Sequence, residues 1–122
     1  MYRINRWDDM FESAKSRGFK HRTQVYLPNK HGLGYLRMIN ATGGEAAFGC
    51  WVALCQVLSR MEAPRHGYVT DNCRSGGSPL DAADIAALTS FSKATAENML
   101  NLCSSESVGW LSVATPKALT RT

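Results

Sequence analysis

The stretch from Glu45 to Met61 constrains this chain more than any other. Ala47, Trp51, Leu54, Cys55 and Leu58 recur at helical spacing, and Phe48 and Val52 widen the stripe until little of the circumference is polar. A helix apolar nearly all round has no face to give to water, so it must run through the middle of its domain with other elements packed around it. The longest apolar block inside it, Ala46 to Leu58, is too short for the ~20 residues of a membrane-spanning helix and is interrupted by Gly49 and Gln56. A chain of 122 residues supplies one such core and one domain around it. The reading is a single domain over residues 1–113, with 114–122 as a flexible tail or the start of a linker. The first residues lack the apolar run of a secretory signal. The expectation is therefore a cytoplasmic protein without a membrane segment.

The flanking segments carry weaker signals. Asn5 to Arg17 reads as a helix, with Asn5 and Asp8 spaced as a capping pair, and Trp7, Met10, Phe11 and Ala14 at i, i+3, i+4 and i+7. Gly18 is placed to end it in the left-handed region. From Lys20 to Leu27 the period changes to two. Thr23, Val25 and Leu27 alternate with Lys20, Arg22, Gln24 and Tyr26, which predicts a strand with one basic, aromatic-tipped face. Pro28 to Gly32 is a turn, and Tyr35 to Asn40 a short helix ended by Gly43-Gly44. Gly67 to Thr70 reads as a short strand and Asp71 to Ser78 as a loop.

Two helices then follow in close succession. Asp81 caps the first, with Asp84 three residues on, and its buried side is Ile85, Ala86 and Leu88. Ser92 caps the second, where Ala96, Met99, Leu100 and Cys103 recur at i, i+3, i+4 and i+7. A connection of only a few residues makes such helices cross steeply, which is helix-turn-helix geometry. Ser104 to Gly109 is a turn, and Trp110 to Val113 a strand that pairs with 67–70. Three helices and a small sheet give the fold class: mainly α with a small β-sheet, a winged helix-turn-helix with an N-terminal helix and strand extension.

Charge is distributed unevenly. Residues 1–37 hold eight Lys and Arg against three acids, and the remainder six against seven. A basic third beside a near-neutral remainder suits a polyanionic partner. On the helix 93–103 the apolar stripe leaves Lys93, Thr95, Glu97, Asn98, Asn101 and Ser104 outward. Asn offers paired hydrogen bonds to adenine edges and Lys reaches guanine acceptors or phosphate. With one Lys against one Glu on that helix, phosphate contacts are expected from Lys20, Arg22, Lys30, His31, Arg37 and Arg74, which fix register without reading sequence. Lys20 and Arg22 fit equally well as charges guarding an exposed strand edge.

Three blocks together resemble the N-terminal winged-helix domain of phage and plasmid replication proteins (replication initiators and replisome organisers) and related prophage proteins. They are Pro28-Asn29-Lys30-His31-Gly32 with Gly34-Tyr35, Phe48 to Met61, and Ser78 to Thr89 followed by Gly109-Trp110-Leu111. The resemblance extends from about Trp7 to Val113. It implies a domain that binds double-stranded origin DNA or pairs as a homodimer, with replication proteins engaged by a C-terminal region that this sequence lacks. By the same resemblance DNA contacts map onto Lys93, Thr95, Asn98 and Asn101, with a wing near 105–108. That wing departs from the pattern, since it carries Glu106 and no Lys or Arg. The rival readings are a non-enzymatic protein-interaction or dimerisation module and a transcriptional regulator.

Chemistry-bearing motifs are sparse. The glycine pairs are not placed to cradle a phosphate between strand and helix, and no nucleophile elbow is present. Cys50, Cys55, Cys73 and Cys103 contain no Cys-x-x-Cys pair; without an export signal they read as reduced thiols, Cys50 and Cys55 as small hydrophobes. A His66–Cys73 nucleophile pair needs spatial support that spacing cannot supply. The expectation is a protein that is not an enzyme and takes no cofactor or metal.

Overall fold

The computed structural model describes residues 1–27 and 32–113; the turn residues 28–31, with Lys30 and His31, and the tail 114–122 lie outside the described residues. Among the described residues the elements are β1 (Tyr2–Ile4), a π-helical turn (Trp7–Phe11), α1 (Ala14–Arg17), α2 (Leu33–Asn40), α3 (Gly44–Ser59), α4 (Ala82–Thr89), α5 (Lys93–Ser104) and β2 (Leu111–Val113). The chain is mainly helical with one two-stranded antiparallel sheet. No helix among the described residues is long and apolar enough to cross a membrane.

α3 occupies the centre, as its all-round apolarity requires. Ala47, Cys50, Trp51, Leu54, Cys55 and Leu58 are buried, and α2, α4 and α5 all pack on it. Its entry is tight. A Cβ on Gly44 would lie 1.9 Å from the carbonyl oxygen of Met38, so only glycine lets the end of α2 run this close to the start of α3. α4 and α5 form as expected. The Asp81 side chain accepts from the Asp84 amide and Asp84 returns the bond, closing a capping box. Ser90 ends α4 in the left-handed region with φ 64°, and Ser92 caps α5 by accepting from the Thr95 amide. Ala96, Met99, Leu100 and Cys103 are all buried. Leu88, expected inside, is 48% exposed, because the short α4 presents only Ile85 fully to the core.

The sheet differs from expectation. Residues 67–70 do not pair with 110–113; β1 lies between them. β1 pairs antiparallel with β2 in the register Tyr2↔Val113, Arg3↔Ser112, Ile4↔Leu111. On its other edge the Ile4 amide donates to the Gly67 carbonyl at 2.7 Å and the Val69 amide to the Tyr2 carbonyl at 2.8 Å. Ile4 is buried, so pairing on both edges also closes the core. Asn5 is consumed here: its amide donates to the Gly109 carbonyl and its oxygen accepts from Ser112 Oγ. It caps no helix.

The expected helix 5–17 is therefore two pieces. Arg6, in the left-handed region at φ 59°, starts a π-helical turn that buries Trp7 and Phe11, stacked at 5.2 Å. Glu12 is extended, and Ser13 opens α1 with a capping box to Ser16. Ala14 is exposed, and Gly18 ends α1 with ordinary right-handed angles (φ −78°). The expected strand 20–27 is an irregular segment with bends at Lys20, His21 and Thr23 and no ladder partner among the described residues. The reason is Arg22, whose side chain turns inward.

Candidate nucleic-acid interface

The break after Phe11 exists because Glu12 is buried. Its Oε2 accepts from Trp7 Nε1 at 2.9 Å and Arg65 Nε at 3.0 Å, and its Oε1 from Ser16 Oγ at 2.9 Å. Arg22 Nη1 stands 3.4 Å from the same carboxylate and donates to the Phe11 carbonyl. Burial pushes the Glu12 carboxyl up, but the hydrogen bonds from Arg65, Trp7 and Ser16 outweigh it and hold the group below its ordinary 4.5. Arg65 does more than neutralise Glu12. Its guanidinium also donates to the carbonyls of Ser16 (2.9 Å), Met61 (2.9 Å), Phe19 (3.3 Å) and Lys20 (3.4 Å). One buried guanidinium thus joins the end of α1, the 19–20 segment and the exit of α3.

This settles the position of Arg22, which was expected to face DNA. Its side chain is 2% exposed, and it stacks under Tyr26 at 5.3 Å. Alternation in sequence placed it outward; a buried carboxylate draws it in, so it is not a phosphate contact. Lys20 is exposed as expected, while its carbonyl accepts from Ala63 and Arg65. Arg74 is half-buried in the 71–79 loop, where its Nε lacks a hydrogen bond among the described residues.

On α5, Lys93 is exposed and stands 3.9 Å from Glu97, a loose i, i+4 pair. Thr95 is half-buried and its Oγ1 accepts from Ser92 Oγ. Asn98 is not free to read a base with its amide, because Nδ2 donates to the Thr42 carbonyl at 3.0 Å, tying α5 to the α2–α3 turn. Asn101 is exposed. Of the four α5 residues singled out, Lys93 and Asn101 keep their polar ends open. Around them the α4–α5 surface carries Asp81, Asp84 and Glu97 against Lys93, so this face is net acidic. Arg37, exposed on α2, donates to the Ser107 carbonyl at 2.9 Å and pins the turn between α5 and β2.

Sequence reasoning missed two features. The first is Arg65, a lone Arg between Pro64 and His66 whose local spacing carries no signal of burial. The second is a cavity of about 310 Å³ lined by Phe11, Tyr35, Phe48, Trp51, Val52 and Trp110, among others. The rings meet edge-on or tilted, with Phe48 6.1 Å and Trp51 5.3 Å from Trp110. Phe48 and Trp51 at i and i+3 were legible, but as a core stripe.

The four cysteines are free and buried. Burial raises the Cys73 thiol to about 11, and its sulfur accepts from the Gly67 amide at 3.2 Å. His66 meets Cys73 only through the backbone, its amide donating to the Cys73 carbonyl, so no thiolate–imidazole pair is assembled. In comparisons with known proteins, no family model, curated protein or solved structure matches the chain.

Proposed function

We propose that this chain is a winged-helix domain that binds double-stranded DNA, in the setting of phage-type or plasmid-type replication initiation. The observation that carries the reading is the pair α4–α5. The two helices are joined by Ser90 to Ser92, α5 buries its apolar stripe against α3, and its opposite side is left open and leads into β2. A helix so held offers polar side chains to a groove while the core fixes its angle. In this reading Lys93 and Asn101, whose polar ends are exposed, are the side chains that reach base edges. The replication setting rests on the sequence resemblance alone.

A second reading, a protein-interaction module, is favoured by one specific observation. The α4–α5 face bears three acids and an exposed Leu88, a surface better suited to a basic or apolar protein partner than to phosphates. Fluorescence anisotropy of a labelled random duplex and of candidate-origin duplexes, titrated across a salt series, separates the two. Steeply salt-dependent binding, with a sequence preference altered by N101A and K93A, supports the DNA reading. Absence of duplex binding at 50 mM salt, with the chain folded, overturns it in favour of the protein module.

A further inference from the structure

The acids on the α4–α5 face leave little positive charge there to meet a phosphate backbone. We infer that the surface at the C-terminal end of α3, carrying Lys15, Arg17, Lys20 and Arg60, binds the sugar-phosphate backbone of duplex DNA. This rests on the DNA-binding reading above and adds a second, separate contact surface to it.

Three observations carry it. The four side chains are exposed and belong to segments brought together by hydrogen bonds. His21 Nδ1 lies 3.5 Å from the Arg60 carbonyl, and the Ala63 amide donates to the Lys20 carbonyl at 3.0 Å. Next, each of the four cations sits on, or one residue from, a carbonyl held by Arg65, namely those of Ser16, Phe19, Lys20 and Met61. Hydrogen bonds from one buried guanidinium fix the backbone that carries these cations, so less ordering opposes binding than for cations on an untethered loop. Finally, the buried group beneath it is unbalanced. Arg22 and Arg65 share the single carboxylate of Glu12, leaving one net positive charge below the surface, where water screens it least.

The opposing charges are few. Asp8, whose carbonyl accepts from Arg17, Asp9, 3.6 Å from Arg6, and Glu62 are the exposed acids near these segments. The carbonyl end of α3 adds a partial negative charge, met in part by the Arg60 amide. The surface is also distinct from α5's open face. Asn98 docks at the α2–α3 turn, the start of α3, whereas Arg60 caps its end. Sixteen residues of helix separate those points by about 24 Å.

The test uses the full chain and a random 20-base-pair duplex in anisotropy titrations from 50 to 300 mM salt. The quadruple variant K15Q/R17Q/K20Q/R60Q is compared with wild type and with K93A/N101A. The inference expects the quadruple variant to flatten the log–log salt dependence by about two to four units, while K93A/N101A changes preference between duplexes and leaves the slope within about one unit. If the wild type binds and the quadruple variant keeps the wild-type slope, this surface is not the phosphate site, and the DNA reading stands without it. If the wild type does not bind at all, the functional reading itself fails. Amide chemical shifts of the unmodified chain on adding duplex give a second measurement independent of variant folding. Perturbations across 15–21 and 60–62 support the inference, and their absence at saturation overturns it.

Discussion

Replacing Arg65 with Met tests the architecture most directly. The change keeps a long flexible side chain of similar reach, so the loss isolates the guanidinium. That group is buried and makes two hydrogen bonds to Glu12 and one or more to each of the carbonyls of Ser16, Phe19, Lys20 and Met61. Removing one partner of a buried ion pair costs roughly 3–5 kcal/mol, because the other charge remains buried. Arg22 stays 3.4 Å from Glu12 and offsets part of that loss. The Ser16 carbonyl, whose contact is fully buried, loses its donor at about 1–3 kcal/mol, while the partly buried carbonyls of Phe19, Lys20 and Met61 turn to water at little cost. The expected destabilisation is about 4 kcal/mol, a large share of the 5–15 kcal/mol typical of a domain. Urea unfolding followed by circular dichroism measures it, and tryptophan fluorescence adds a local report, since Trp7 donates to Glu12. The double variant E12Q/R65M should lose less than the two single changes summed, because E12Q alone strands two buried guanidiniums and the double variant strands only that of Arg22. A cost below about 1 kcal/mol for Arg65→Met, or strict additivity in the cycle, would refute the claim that this guanidinium joins α1, the 19–20 segment and α3.

Three further outcomes are expected. Because the Glu12 carboxyl is held below 4.5 in the fold, its contribution is present at neutral pH and is lost as pH falls below that value; urea midpoints measured from pH 7 to pH 3 should decline on acidification, and less so in Glu12→Gln. Trp51→Ala should cost about 3–5 kcal/mol, since the ring is 5% exposed and packed between Phe11 and Trp110; a near-neutral thermal melt would remove α3 from the centre of the domain. All four thiols should resist a disulfide reagent at pH 7 in the folded chain and react together on unfolding, because burial keeps them protonated and out of reach; rapid labelling of any one in native buffer would contradict its placement.

Where sequence reading succeeded, the deciding forces were local. α3, α4 and α5 were legible because apolar periodicity names the buried side of a helix and a cap names its first turn: Asp81 with Asp84, and Ser92 with Thr95, close within three residues. It failed around Glu12. The alternation from Lys20 to Leu27 is a genuine period-two pattern, and Trp7, Met10 and Phe11 do lie at helical spacing. Yet Glu12 takes Arg65 from 53 residues away, and that pairing breaks the first helix and turns Arg22 out of the expected strand. Asn98 illustrates the same limit on α5, where an outward-facing amide is claimed by a carbonyl 56 residues earlier in the chain.

What the amino-acid order alone determined is the central helix, the two capped helices packed on it, and the imbalance of charge between the first third and the remainder. These depend on contacts within a few residues or on counting. Only the tertiary structure decided which cations meet solvent, that β1 slips between Tyr68 and β2, and that Asn98 is held at the start of α3 while Arg60 caps its end. A buried carboxylate selects its partners by distance in space, and spacing along the chain carries no record of that distance.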